Sequence, residues 1–161
     1  ARLPAGAGAR TVPRTAGEAE MSYTLGEASR KKMNGLHPRM IRVVERAIEL
    51  TEQDFKVLCG VRTLAEQKEL YAQGRTKPGP KVTWTLNSRH LPAADGFGHA
   101  VDLCPFPIDW NTLSKFDAVS KAMFAAAKEL NIPIRWGADW DGDGKPREKG
   151  ESDSPHFELA S

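Results

Sequence analysis

The chain has 161 residues, 40% hydrophobic and 27% charged, with a net charge of +2. That length suits one globular domain with a real core. The near-balanced charge excludes a dominant nucleic-acid footprint, and no apolar run approaches the ~18 residues of a membrane span.

Residues 1–20 are rich in Ala, Gly, Pro and Arg, show no apolar periodicity, and are followed at once by Met21. They read as a disordered extension or an added leader outside the fold, with a single domain over 21–161. From Leu36 periodicity begins. His37-Pro38 places proline at a first helical position, and Met40, Ile41, Val44, Ala47 and Ile48 recur at three- and four-residue spacing. His37 is expected to cap this helix of about four turns.

Phe55 to Val61 reads as a short strand that delivers Arg62 at its end. Thr63-Leu64-Ala65-Glu66 is a capping box, opening a helix that carries Leu64, Leu70 and Tyr71 and stops at Gly74. Arg75 to Leu86, with Pro78-Gly79-Pro80, reads as a loop. Gly98 to Leu103 is a second strand, and Pro105 and Pro107 then break the chain. Asn111 or Thr112 caps a long helix with a core stripe of Phe116, Val119, Met123, Ala126, Ala127 and Leu130. Short strands at Ile132–Trp136 and Pro155–Leu159 complete the order. The fold class is therefore α+β, a small antiparallel sheet flanked by helices. Cys59 and Cys104 read as small buried hydrophobes, with a bridge between neighbouring strands as the alternative.

Two segments about fifty residues apart carry the chemistry: Asn87 to Asp102, and Asp153 to Glu158. Two neutral imidazoles and a carboxylate, with one position left to water, form the ligand set of a catalytic zinc and imply a zinc peptidase. On a strand over Gly98–Leu103, Asp102 and His99 face opposite sides. His90, in the preceding loop, is free to fold back over Asp102. The expected zinc ligands are His90, Asp102 and His156, with His99 left out.

Glu158 shares a strand face with His156 and is placed to brace it or line the site. Asp153, three residues before His156, is the candidate general base and later the acid to the leaving amine. Arg62 is the candidate for holding the developing oxyanion or a substrate carboxylate. Downstream, Asp139, Asp141, Asp143 and Gly144 reproduce the first half of a calcium loop, although Gly150 stands at its twelfth position and Glu151 follows. Calcium is therefore a second candidate cofactor, with a solvated acidic turn as the alternative.

Ser88-Arg89-His90, Gly98 to Asp102, and Asp153-Ser-Pro-His-Phe-Glu158 resemble the signatures of the zinc D-alanyl-D-alanine carboxypeptidase family. Gly60 to Thr76 is similar to that family's arginine-bearing segment, and Arg135 to Trp140 to its Trp-Gly-Gly-Asp-Trp stretch. The likeness spans roughly residues 36–160. It implies the hedgehog/D-Ala-D-Ala metallopeptidase-type fold, zinc at His90, Asp102 and His156, Asp153 as base, and Arg62 in substrate or transition-state binding. Ser88, Trp136 and Glu158 are then expected on the substrate side. Eleven residues separate His90 from Asp102 where the family usually has six, and Asp95, within that longer stretch, is an outside candidate.

The phage members of that family are L-alanyl-D-glutamate endopeptidases, or endolysins. The resemblance thus implies a monomeric peptidase of the peptidoglycan stem peptide, without nucleic-acid partner or membrane insertion. With no signal-peptide core evident, it would accumulate in the host bacterial cytoplasm and act at the cell wall after a separate membrane lesion. The alternatives are a D-alanyl-D-alanine carboxypeptidase, a general protease, and a non-catalytic zinc-binding module of the same fold.

Overall fold

The computed structural model of the protein describes residues 12–13, 21–81, 83 and 88–160. In chain order the elements are β1 (Val12–Pro13), β2 (Met21–Ser22), α1 (Glu27–Lys32), α2 (Pro38–Leu50), β3 (Phe55–Cys59), α3 (Leu64–Ala72), β4 (Ala100–Pro105), α4 (Leu113–Leu130), β5 (Ile134–Trp136) and β6 (His156–Leu159). Four strands form an antiparallel sheet in the order β3-β4-β6-β5. That is the α+β class read from the sequence. The pair β1–β2 stands apart as a second antiparallel ribbon, so Val12–Pro13 joins secondary structure that the leader reading did not foresee. Residues 1–11 and 14–20, and most of 82–87 in the expected loop, lie outside the described residues.

Helix α2 starts where proline is best tolerated, and His37 Nδ1 caps it by accepting from the Arg39 amide at 3.1 Å. Its buried face of Met40, Val43, Val44, Ala47 and Ile48 packs on α4. From α4 the residues Phe116, Val119, Met123, Ala126 and Ala127 reply, and Phe55, Val57, Leu103 and Phe157 cover the sheet side. Phe157 and Met123 are fully buried, so truncating either to alanine should cost about 2–5 kcal/mol. Thr112 is the N-cap residue of α4, as expected, but its side chain caps no helix amide and donates instead to Asp109 Oδ2 at 2.8 Å, while Asp109 Oδ1 accepts from the amides of Asn111 and Thr112 just before the helix. No helix among the described residues is long and apolar enough to cross a membrane.

Three local details position the site. The edge strand β3 ends at Cys59 with an irregular register, and its Val57 amide is satisfied by Ser29 Oγ of α1 at 3.0 Å. Gly60 then passes so close to α1 that a Cβ there would lie 2.0 Å from the Lys32 carbonyl oxygen, which only glycine permits. Pairing β4 with β6 sets Asp102 opposite His156. Sheet register, not sequence proximity, brings these two side chains together.

Candidate active site

Asp102 lies between two imidazoles. Its Oδ1 is 3.2 Å from His90 Nε2 and 3.3 Å from His156 Nδ1, and the two rings stand edge to face at 5.1 Å. The outer nitrogens are braced. His90 Nδ1 donates to the Gly60 carbonyl at 2.8 Å, and His156 Nε2 donates to Glu158 Oε1 at 2.9 Å. These bonds fix the tautomers, so each neutral ring turns its lone pair toward Asp102. Glu158 is itself held by Arg135 at 2.9 Å and flanked by Arg89 at 3.7 Å.

The donor set fits a zinc ion. Tetrahedral ligands at ~2.0–2.1 Å from zinc are about 3.3 Å apart, which matches both contacts of Asp102. Cys59, His90 and Asp102 also bring donor atoms within 4.8 Å of one another. Cys59 approaches the braced Nδ1 edge of His90 at 3.8 Å and accepts from Arg62 at 3.5 Å, so it flanks the site from behind. Both cysteines are free thiols, which settles the bridging alternative.

The charges are strongly coupled. Burial opposes protonating His90, but hydrogen bonds to Asp102 and Cys59 prevail and its pKa is pushed up to about 10. Burial likewise opposes charging His156, yet Asp102 and Glu158 push it up to about 9. Burial would raise Asp102, and the two imidazoles instead hold it well below the usual carboxylate range. Protons thus sit where a dication would bind, a charge pattern that metal binding replaces.

A cleft of about 390 Å³ opens onto these groups. Arg62, Ser88, Asp153 and Glu158 line it. Asp153 Oδ2 is 3.8 Å from His156 Nδ1. Burial, reinforced by the Asp102 charge and opposed by His156, raises its pKa. Gly137 seats this carboxylate: its carbonyl accepts from the Asp153 amide at 3.1 Å, and a Cβ on Gly137 would lie 2.7 Å from the Asp153 Cβ.

Trp136 is not brought to the cleft. Only 5% exposed, it stacks on Phe157 and donates from Nε1 to the Ser154 carbonyl. Trp140, four residues on and 37% exposed, lines the cleft instead and lies 5.5 Å from the His156 ring. Strand alternation turns Trp136 inward, whereas Trp140 sits in a turn where no periodicity marks it. Arg89 also lines the cleft and was assigned no role in the sequence reading.

Asp95, the outside candidate, points elsewhere. It accepts from His99 at 2.8 Å and lies 3.8 Å from His37. That pairing leaves His99 away from Asp102, on the opposite side of the chain, as alternation required. The extra residues before Gly98 close on themselves through the Ala93–Phe97 hydrogen bond.

In the acidic loop, Asp139, Asp141 and Glu151 bring oxygens within 4.8 Å of one another, as do Asp141, Asp143 and Glu148. Buried Glu151 accepts from the Asp141 amide at 3.2 Å. Asp139 Oδ1 is buried without a hydrogen-bond partner among the described residues. Burial, with Asp141 and Asp143 beside it, raises the Asp139 pKa.

The phage L-alanyl-D-glutamate peptidase family matches residues 21–160, and with them the whole of this site. The chain belongs to that family. It is 36% identical over 145 residues to the L-alanyl-D-glutamate peptidase of Escherichia phage T5, covering 86% of this chain and 99% of that protein. It also superimposes on the crystal structure of the Serratia marcescens L-Ala D-Glu endopeptidase ChiX with a TM-score of 0.64. That match has 29% identity and covers 83% of this chain and 86% of the other. The family assignment makes the protein a peptidoglycan peptidase with a small antiparallel sheet and helices, in agreement with the sequence reading.

Proposed function

We propose that the protein is a zinc-dependent endopeptidase that hydrolyses the L-alanyl–D-glutamyl bond of the peptidoglycan stem, acting as a phage endolysin. The observation that carries this is Asp102 shared by His90 Nε2 and His156 Nδ1, with both outer nitrogens braced, at the floor of the cleft. His90, Asp102 and His156 would hold the zinc. When bound, it supplies Lewis acidity that polarises the scissile carbonyl and eases deprotonation of water.

This chain's own groups do the rest. Asp153, within the cleft and raised in pKa, takes a proton from the attacking water and returns it to the leaving amine. Arg62 meets substrate negative charge, either the carbonyl oxygen as it becomes anionic or a carboxylate. Ser88 and Trp140 line the walls that orient the stem peptide. Glu158 and the Gly60 carbonyl keep the imidazoles in register.

The acidic loop, through Asp139, Asp141, Asp143 and Glu151, binds calcium; the orphaned Asp139 oxygen supports this. The protein acts as a monomer and reaches the wall from the host cytoplasm once the membrane has been breached. Turbidity loss of permeabilised Gram-negative cells tests the catalytic reading. Lysis should stop with chelator, return with zinc, and be absent in Asp153→Ala. Lysis that persists in the metal-free protein would refute it.

A further inference from the structure

Helix α3 has an unusual burial pattern. Its Leu64 is 52% exposed, and the residue it buries is Gln67, at 0% exposure. Gln67 Oε1 accepts from Arg62 Nη1 at 2.7 Å, while Nε2 donates to Thr83 Oγ1 at 3.3 Å across the cleft edge. The Arg62 backbone amide is bonded to the His90 carbonyl at 2.8 Å, and Nη2 reaches Cys59 Sγ. Arg62 is thus anchored at both ends next to the metal ligands. Among the described residues no carboxylate forms an ion pair with its guanidinium.

A carboxylate is the usual partner of a partly buried arginine, and it makes the shorter and stronger bond. Glutamate would fit the space of Gln67. It would also cancel the charge that Arg62 brings to a cleft facing Asp102, Asp153 and Glu158. An amide gives the same direction and reach with no negative charge.

We infer that Gln67 is a positioning residue that fixes the Arg62 guanidinium while leaving its positive charge free for an anionic oxygen of the substrate. This rests on the anion-binding role proposed for Arg62. The anion has two sources in an acyl–D-glutamyl substrate: the free α-carboxylate beside the scissile nitrogen, and the carbonyl oxygen as it turns anionic.

The test compares wild-type protein with Gln67→Glu and Gln67→Met on two synthetic stem peptides, one with the α-carboxylate and one with an α-carboxamide. Zinc content and thermal midpoint are measured alongside kcat and KM. Gln67→Glu should keep its zinc and its midpoint yet lose about tenfold or more in kcat/KM, as partners behind a working side chain typically command. A loss in KM confined to the carboxylate stem identifies the α-carboxylate. An equal loss in kcat on both stems identifies the developing oxyanion.

Wild-type kinetics in a folded Gln67→Glu protein would overturn the assignment. If Gln67→Glu does not fold, Gln67→Met decides by the same readout. A tenfold loss with zinc retained supports the assignment, and wild-type kinetics overturns it. A wild-type protein that cleaves neither stem overturns the peptidase reading, and the Gln67 assignment falls with it.

Discussion

Glu158 Oε1 accepts from His156 Nε2 at 2.9 Å, and this bond decides which nitrogen of His156 faces Asp102. Glu158 is almost fully buried and tied to Arg135, so the imidazole has little freedom to turn. Glu158→Ala should therefore weaken zinc binding by about 10–100-fold. Competition with a chromophoric chelator measures this. Unchanged zinc affinity with lost activity would instead assign Glu158 to the substrate.

Zinc binding should strengthen as pH rises. In the metal-free protein His90 and His156 hold protons up to about 10 and about 9, and a metal must displace both. Calorimetry in buffers of different ionisation enthalpy should show proton release near neutral pH. Stability of the metal-free protein carries the opposite sign. The raised imidazoles contribute fully below their ordinary value near 6.5, and that contribution is lost as pH climbs through about 9 to 10. Asp102, depressed by the same pairing, contributes above the ordinary carboxylate value and loses its contribution as pH falls. Chelated protein should therefore be most stable between about pH 4 and 6.5 as far as these three groups decide it. A thermal midpoint that rises steadily from pH 6.5 to 10 would contradict the pairing.

Gly137→Ala tests how Asp153 is held. The added Cβ would meet the Asp153 carbonyl oxygen at 2.4 Å, so the backbone carrying the carboxylate must shift. Overpacking of this kind costs about 1–3 kcal/mol. The folded fraction should retain zinc and lose kcat far more than KM. Normal kcat would show that the placement of Asp153 tolerates displacement.

Calcium should raise the thermal midpoint in a concentration-dependent way, since a ligand bound only by the folded state stabilises it by mass action. Glu151→Ala should abolish the effect, because Glu151 is the buried carboxylate that closes the loop on Asp139 and Asp141. An equal calcium response in Glu151→Ala would remove the loop as the binding site.

Much of this was legible in the chain because it depends on local rules. The capping box Thr63–Glu66 formed with both hydrogen bonds, and the α2 and α4 stripes turned inward. Strand alternation separated His99 from Asp102 without any structure. What escaped depends on tertiary context. Helix α1 has six residues and buries one, Ser29, so it carries no periodic signal. Leu64 lies exposed, because α3 is turned to bury Gln67 against Arg62. The replacement of Trp136 by Trp140 in the cleft follows from how that loop folds. No spacing rule reports such folding.

Mass spectrometry of fragments from purified peptidoglycan tests the central claim most directly. Native protein, chelated protein restored with zinc, and Asp153→Ala would be compared on the same wall. The expected result is new N-terminal D-glutamyl ends from native and restored protein, absent with chelator and in Asp153→Ala. Release of D-alanine alone, or D-glutamyl ends that persist without metal, would contradict it.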